Sequence, residues 1–166
     1  SWIVSGRRTY FDLVSKMFAL DLPYYFYDGH AKLNYDIDEN NQASISSYLG
    51  NDILDLSQEG TDIKLDWGNR TFSAQWMHLF SSRLFSHFVF AGSRFDSDGT
   101  VKFDDVSFGT FNTISDLTVK GSLTYSPSTR NSMDFGFETK RLEFDLNYEI
   151  VGSKYLNSFS GTYYAM

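Results

Sequence analysis

At 166 residues the chain has room for at most one ordinary domain. Its net charge of -7 argues against a nucleic-acid backbone as partner, since such binders need a positive face, and without cysteine it has neither a disulfide framework nor a thiolate metal site. No window approaches about 18 uninterrupted apolar residues, which rules out helical membrane spans but not a β-barrel, where half of each strand faces a polar interior.

In chain order, the opening Ser1-Trp2-Ile3-Val4-Ser5 reads as strand rather than as a secretory leader, so a mature form or an excised piece is expected. Trp2 to Val14 is the first strand candidate, with Arg7 and Arg8 pointing to opposite faces. Ser15 to Pro23 reads as a connection, stopped by a proline that lacks an N–H. Then comes the clearest stretch of the chain. Tyr25, Tyr27, Ala31, Leu33, Tyr35 and Ile37 alternate with Asp28, His30, Lys32, Asn34 and Asp36, the period-2 mark of a strand with one apolar and one polar face. It exceeds the five or six residues usual in soluble sheets and matches the roughly 9–11 tilted residues that cross a bilayer.

A turn at Asp38–Asn41 leads into a second alternating run from Ala43 to Leu49. Residues 50–60 read as an acidic connection. Ile63 to Phe80 is the next strand, with a change of parity near Gly68-Asn69 that suggests a bulge. After a turn at 81–83, Leu84 to Phe95 is too aromatic to assign its faces, and the acidic stretch after it reads as a longer connection over 96–108. Thr113 to Tyr125 alternates cleanly, 126–131 is a turn, and Met133, Phe135 and Phe137 oppose Asp134, Glu138 and Lys140. A second change of parity at Lys140-Arg141 precedes Leu142, Phe144, Leu146 and Tyr148. Residues 151–158 read as a connection and Phe159 to Met166 as a last, truncated strand. Short turns (38–41, 81–83, 126–131) thus alternate with longer connections (15–23, 50–60, 96–108, 151–158), the loop sorting of outer-membrane barrels.

Sites of chemistry are sparse. His30, His78 and His87 fall on separate strands without metal-type spacing. Asp28 and Asp36 share a face but lie about 27 Å apart along a strand, too far for an acid–base pair. Asp96-Ser97-Asp98-Gly99-Thr100 has the alternating oxygens of a calcium loop without the rest of the pattern, and reads as a solvated loop. No serine sits in a nucleophile elbow. The aromatics, 11 Tyr, 16 Phe and 3 Trp, suit interfacial girdles: Tyr24, Tyr25 and Tyr27 at one strand end, Trp76, Phe80 and Phe85 near a short turn. The rival is a sugar-binding aromatic platform on a soluble sandwich.

Several blocks stand out together: Ser1 to Tyr10, Leu22-Pro23-Tyr24-Tyr25-Phe26-Tyr27-Asp28 running into Ala31-Lys32-Leu33-Asn34-Tyr35, Ser47-Tyr48-Leu49-Gly50-Asn51-Asp52, and Trp67-Gly68-Asn69-Arg70-Thr71 with Trp76 to Ser81 and Leu84-Phe85-Ser86. They resemble TonB-dependent outer-membrane receptors of Bacteroidetes type. The order and spacing of the blocks agree over residues 1–95; beyond them only Thr124-Tyr125-Ser126-Pro127 fits, as a short periplasmic turn. The resemblance implies a large barrel of about 22 strands filled by a plug and energised through TonB. No plug-like sequence is present, so an N-terminal segment of the barrel wall, cut from a larger receptor, is implied.

The expectation is therefore an all-β antiparallel meander of about 7–8 long strands, residues 1–166, forming all or part of a transmembrane β-barrel in the outer membrane of a Gram-negative bacterium. Tyr25, Tyr27, Ala31, Leu33, Tyr35, Phe72, Trp76, Leu117, Val119, Leu123, Phe135 and Phe137 should face lipid. Asp28, His30, Lys32, Asn34, Asp36, Lys120, Asp134 and Glu138 should line the lumen. Expected partners are outer-membrane lipid, the remaining strands and plug of the parent, and TonB through that plug. No catalysis, cofactor, metal or nucleic acid is expected, and the imported solute would be a nutrient such as a metal chelate or an oligosaccharide. The alternatives are a complete eight-stranded barrel of structural or adhesion type, and a soluble carbohydrate-binding β-sandwich.

Overall fold

Alternating polarity carries the chain through eight strands in the computed structural model, which describes residues 1–10, 14, 23–58, 60–152 and 155–165. They are β1 (Trp2–Arg8), β2 (Tyr24–Asp38), β3 (Asn41–Gln58), β4 (Thr61–Ser81), β5 (Leu84–Phe103), β6 (Val106–Ser128), β7 (Asn131–Gly152) and β8 (Tyr155–Ala165). Each pairs antiparallel with its neighbours in sequence, in one sheet of order β1 to β8. This is the simplest meander. Among the described residues β1 and β8 do not pair, so the sheet is open at both edges. Among the described residues there is also no second layer, and no hydrophobic side chain is buried. Soluble domains bury an apolar face by packing one layer on another; here both faces await a cover.

The strands are longer than the sequence patterns indicated, at 18 to 23 residues from β3 to β7. The expected acidic connections at 50–60 and 96–108 are strand. β3 runs to Gln58 with Gly60 at the turn, and β5 runs to Phe103 and turns at Asp104-Asp105 into β6. The expected connection at 151–158 is largely strand as well, since β7 ends at Gly152 and β8 begins at Tyr155. Acidic residues read as loop because they are poor strand formers, yet in a ladder every second one can stand on a solvated face. Short turns therefore occur at both ends of the sheet, and the loop sorting does not hold. β1 stops at Arg8, short of Val14, and the expected connection at 15–23 lies, except for Pro23, outside the described residues.

Special geometry sits at the turns. Gly60 has φ +77° and Asp104 φ +46°, left-handed conformations that glycine adopts freely and aspartate tolerates. The Asp104 N–H donates to the Gly60 carbonyl at 3.1 Å, tying two neighbouring turns together. At the opposite end, Asp38 organises the β2–β3 turn. Its carboxylate accepts the Asn40 N–H and both oxygens accept the Asn41 side-chain amide, each at 2.8 Å.

These donors, the Asn41 amide foremost, hold the Asp38 carboxyl below its usual range. Because the folded pKa is depressed, the turn's gain is complete above the unfolded value and fades as pH falls through the folded one. An NMR titration of the Asp38 carboxyl carbon should therefore run below that of an unfolded peptide, and Asp38→Asn should remove this acid-side loss.

Candidate functional site

Register assigns every side chain to one of two faces, because residues directly opposite across a ladder point the same way. Face I carries Tyr25, Tyr27, Ala31, Leu33 and Tyr35 of β2, which pair through Ile53, Asn51, Ser47, Ile45 and Ala43 of β3 to Asp66, Gly68, Phe72, Ala74 and Trp76 of β4. Continuing outward, Trp76 meets Phe88, Gly121 and Phe137, while Phe72 meets Gly92, Leu117 and Arg141. All twelve residues expected to face lipid share face I. Asp28, His30, Lys32, Asn34 and Asp36 of β2, Lys120 of β6 and Asp134 and Glu138 of β7 share face II.

The turns at 38–41, 81–84 and 128–131 define the lower end. In the lower half, face I is an apolar belt and face II is polar. In the upper half the polarity is exchanged. Ile63, Leu65 and Trp67 of β4, Phe95 and Val101 of β5, Ile114 of β6, and Leu142, Phe144 and Leu146 of β7 stand on face II. Asp62, Lys64, Asp66, Arg94, Asp96, Asp98, Glu143 and Asp145 stand on face I.

The changes of parity near Gly68 and Lys140 are this exchange. No bulge accompanies them, because the ladders of β4 and β7 run through both positions without a register shift. The shifts that do occur, between Asp36 and Asp38, Leu79 and Ser81, and Tyr125 and Ser128, all lie at the lower turns.

Along a strand the belt is about 9–13 residues tall, as from Leu117 to Tyr125 in β6 or Tyr25 to Ile37 in β2. Its upper border is oblique. It reaches Tyr25 in β2, at the level of Asp66 in β4, but only Phe137 in β7, at the level of Trp76. About ten residues of rise over five strand spacings is a slope on the order of 50° to the ladder rows, of the same order as the tilt of strands in barrels.

Side chains in the belt stand on their own or on one another. Trp76 stacks on Phe88 at 5.7 Å, and its indole N–H donates to Asn41 Oδ1 at 3.2 Å near the lower turns. His78 Nδ1 shares that oxygen at 2.7 Å, and its ring meets Phe80 edge-on. Two aromatics expected in the girdles stand on the other face. Tyr24 lies on face II, where its hydroxyl donates to Asp52 at 2.7 Å, and Phe85 lies on face II beside His87.

The polar lower half of face II is bound by cross-strand pairs. Arg7 of β1 pairs with Asp28, Lys120 with Glu138 at 3.4 Å, and the Gln42 amide donates to Asp36 at 2.8 Å. Ser46 and Ser73 hydroxyls meet at 2.9 Å, and Ser93 donates to Asp116 at 3.0 Å. A shallow depression of about 320 Å³ opens among Lys32, Asn34, Gln42, Ser44, Gln75, Met77, Phe85, His87 and Ser122. Lys32 and Asn34 were legible from alternation in β2. The contribution of β3 to β5 was not singled out, although every second residue from Gln42 to Ser46 carried the signal.

The structure separates the remaining candidates. His30, His78 and His87 lie on β2, β4 and β5, with His78 on face I and the other two on face II. No three His, Asp or Glu side chains converge among the described residues. Asp96 to Thr100 is mid-strand, with Asp96 and Asp98 on one face and Ser97 and Gly99 on the other, so it does not wrap an ion. Asp96 instead accepts from Arg94 and from Thr113 at 2.8 Å, and Arg94 above all holds its carboxyl below the usual range.

No family model and no curated protein matches the sequence. Among solved structures, the fold is similar to the ferric yersiniabactin uptake receptor FyuA of Yersinia pestis, with TM-score 0.63 and 10% identity over 88% of this chain. The chain spans 25% of that receptor's length. At this identity the likeness concerns the fold: an all-β antiparallel meander consistent with part of a β-barrel.

Proposed function

We propose that the chain is a wall segment of an outer-membrane, TonB-dependent uptake receptor, and that it contributes barrel and rim without catalysis. The observation that carries this reading is the apolar belt of face I. It has bilayer height, runs obliquely across the strands, and is backed by a polar, hydrogen-bonded face II that would line the passage through Asp28, His30, Lys32, Asn34, Asp36, Lys120, Asp134 and Glu138. The upper halves of β3 to β7 would overhang the membrane on the extracellular side, where charges on face I meet water. Further strands would pair with β1 and β8, since an open sheet edge is not tolerated in hydrocarbon. The resemblance of residues 1–95 to Bacteroidetes-type receptors supports a plug and TonB as partners, and a nutrient such as a metal chelate or oligosaccharide as cargo. A closed eight-stranded barrel has no support from the ladder, in which β1 and β8 stay apart.

Two single-tryptophan variants of the full protein test this reading in vesicles whose acyl chains are brominated along their length, from near the headgroups to the bilayer centre. One retains Trp76 in the belt; the other retains Trp67 on face II above it. Trp76 fluorescence should be quenched strongly and Trp67 fluorescence little. Equal quenching, or a protein that stays in the aqueous phase, would end the membrane assignment.

A further inference from the structure

We propose that Arg70 and Arg94 form a binding site for the phosphate of an anionic membrane lipid on face I. The inference rests on the membrane reading above and adds a ligand to it. Arg70 of β4 and Arg94 of β5 are directly opposite each other on one face, and both side chains are exposed. Like charges so placed repel; Asp96, two residues along β5 on the same face, offsets part of that repulsion, and a second anion between the two guanidinium groups would offset the rest. One pair below them on the same face stand Phe72 and Gly92, the first members of the apolar belt. Leu49 is opposite Arg70 on the other side. A groove of about 440 Å³ is lined by Ser47, Leu49, Arg70, Phe72, Gly92 and Arg94.

Gly92 shapes that groove. With no side chain there, a slot stays open in front of the Leu117 side chain, which a Cβ at Gly92 would approach to 3.7 Å. The site is therefore amphipathic in the order a lipid requires, with an apolar slot in the belt and two guanidinium groups at its upper border. Arg94 is partly engaged, donating Nε to Asp96 at 2.9 and 3.0 Å with Nη2 in the same ion pair, yet its side chain remains 56% exposed. Its guanidinium carries five N–H donors in all, more than one carboxylate occupies. No ion pair to Arg70 is found among the described residues. A phosphate bridging the two would accept from both planar forks, a geometry arginine meets better than lysine.

The test uses the full protein in phosphatidylcholine vesicles doped with dioleoylphosphatidic acid or with dioleoylglycerol, which has the same chains and no phosphate. Lipid retained through detergent extraction is read by native mass spectrometry. The wild type should retain phosphatidic acid over dioleoylglycerol. Arg70→Gln with Arg94→Gln should lower that retention by roughly tenfold, Arg70→Lys should lower it less, and Arg83→Gln, at a lower turn, should not change it. Equal retention by the wild type and the double variant, both inserted in the bilayer, would overturn the lipid site and leave the membrane reading standing. Loss of retained lipid on adding inorganic phosphate at equal concentration would assign the pair to a free anion and overturn the proposal. A protein that never enters the vesicles would defeat both readings.

Discussion

Leu33→Arg is expected to weaken folding into a bilayer by about 2–4 kcal/mol, while Lys32→Gln next to it changes stability by less than about 0.5 kcal/mol. The two positions are adjacent in β2 and project to opposite faces. Leu33 stands in the lower half of the belt, opposite Ile45 and in line with Ala74, Phe90 and Val119. An arginine there would place a guanidinium in hydrocarbon or force it to bend toward an interface. Lys32 stands exposed on the polar face opposite Ser46, where glutamine keeps a polar group and gives up only a solvated charge. Urea titration of the protein folded into phosphatidylcholine vesicles measures both. Equal losses at the two positions would refute the assignment of faces, and so would a larger loss at Lys32.

Gly136→Ala should cost about 1–3 kcal/mol, a large effect for one methyl group on an open face. A Cβ at Gly136 would lie 2.9 Å from the Gly121 carbonyl oxygen, and 3.6 Å from Ser122 Cα across the ladder. Backbone, unlike the end of a flexible side chain, has no rotamer with which to retreat, so the β6–β7 pair must shift. Gly29→Ala is the control. Its nearest neighbours would be the Ser5 carbonyl at 3.8 Å and Leu49 at 3.9 Å, ordinary contacts, and alanine restricts the unfolded chain more than glycine. That variant should be neutral or gain about 0.5 kcal/mol. A harmless Gly136→Ala would mean that the two strands separate more readily than their continuous ladder implies.

Strand identity and facing in β2, β6 and lower β7 were legible because period-2 alternation is a purely local signal. Tyr25 to Asp36 and Thr113 to Tyr125 reveal their faces without any partner. Strand ends were less legible. Asp52, Asp55, Asp96 and Asp98 gave the appearance of loops, since local propensity cannot register the carbonyls and amides that a neighbouring strand supplies across the ladder. The aromatic run Leu84 to Phe95 was unreadable for a related reason: Phe85, Phe88 and Phe90 are large on both faces, and only pairing with Trp76 and Gly121 separates them.

By itself, the sequence determined that this chain is a meander of long strands with one apolar and one polar face, because the direction of successive side chains is fixed by the pleat. What the tertiary structure decided was how those faces align. A change of parity within one strand reads equally as a bulge or as an exchange of faces. The unbroken ladders through Gly68 and Lys140 select the exchange, since a bulge must add a residue to one side of a pairing and none is added. The oblique belt and the opposed Arg70 and Arg94 belong to the same category, for both are properties of register between strands, and register is set only when the strands meet.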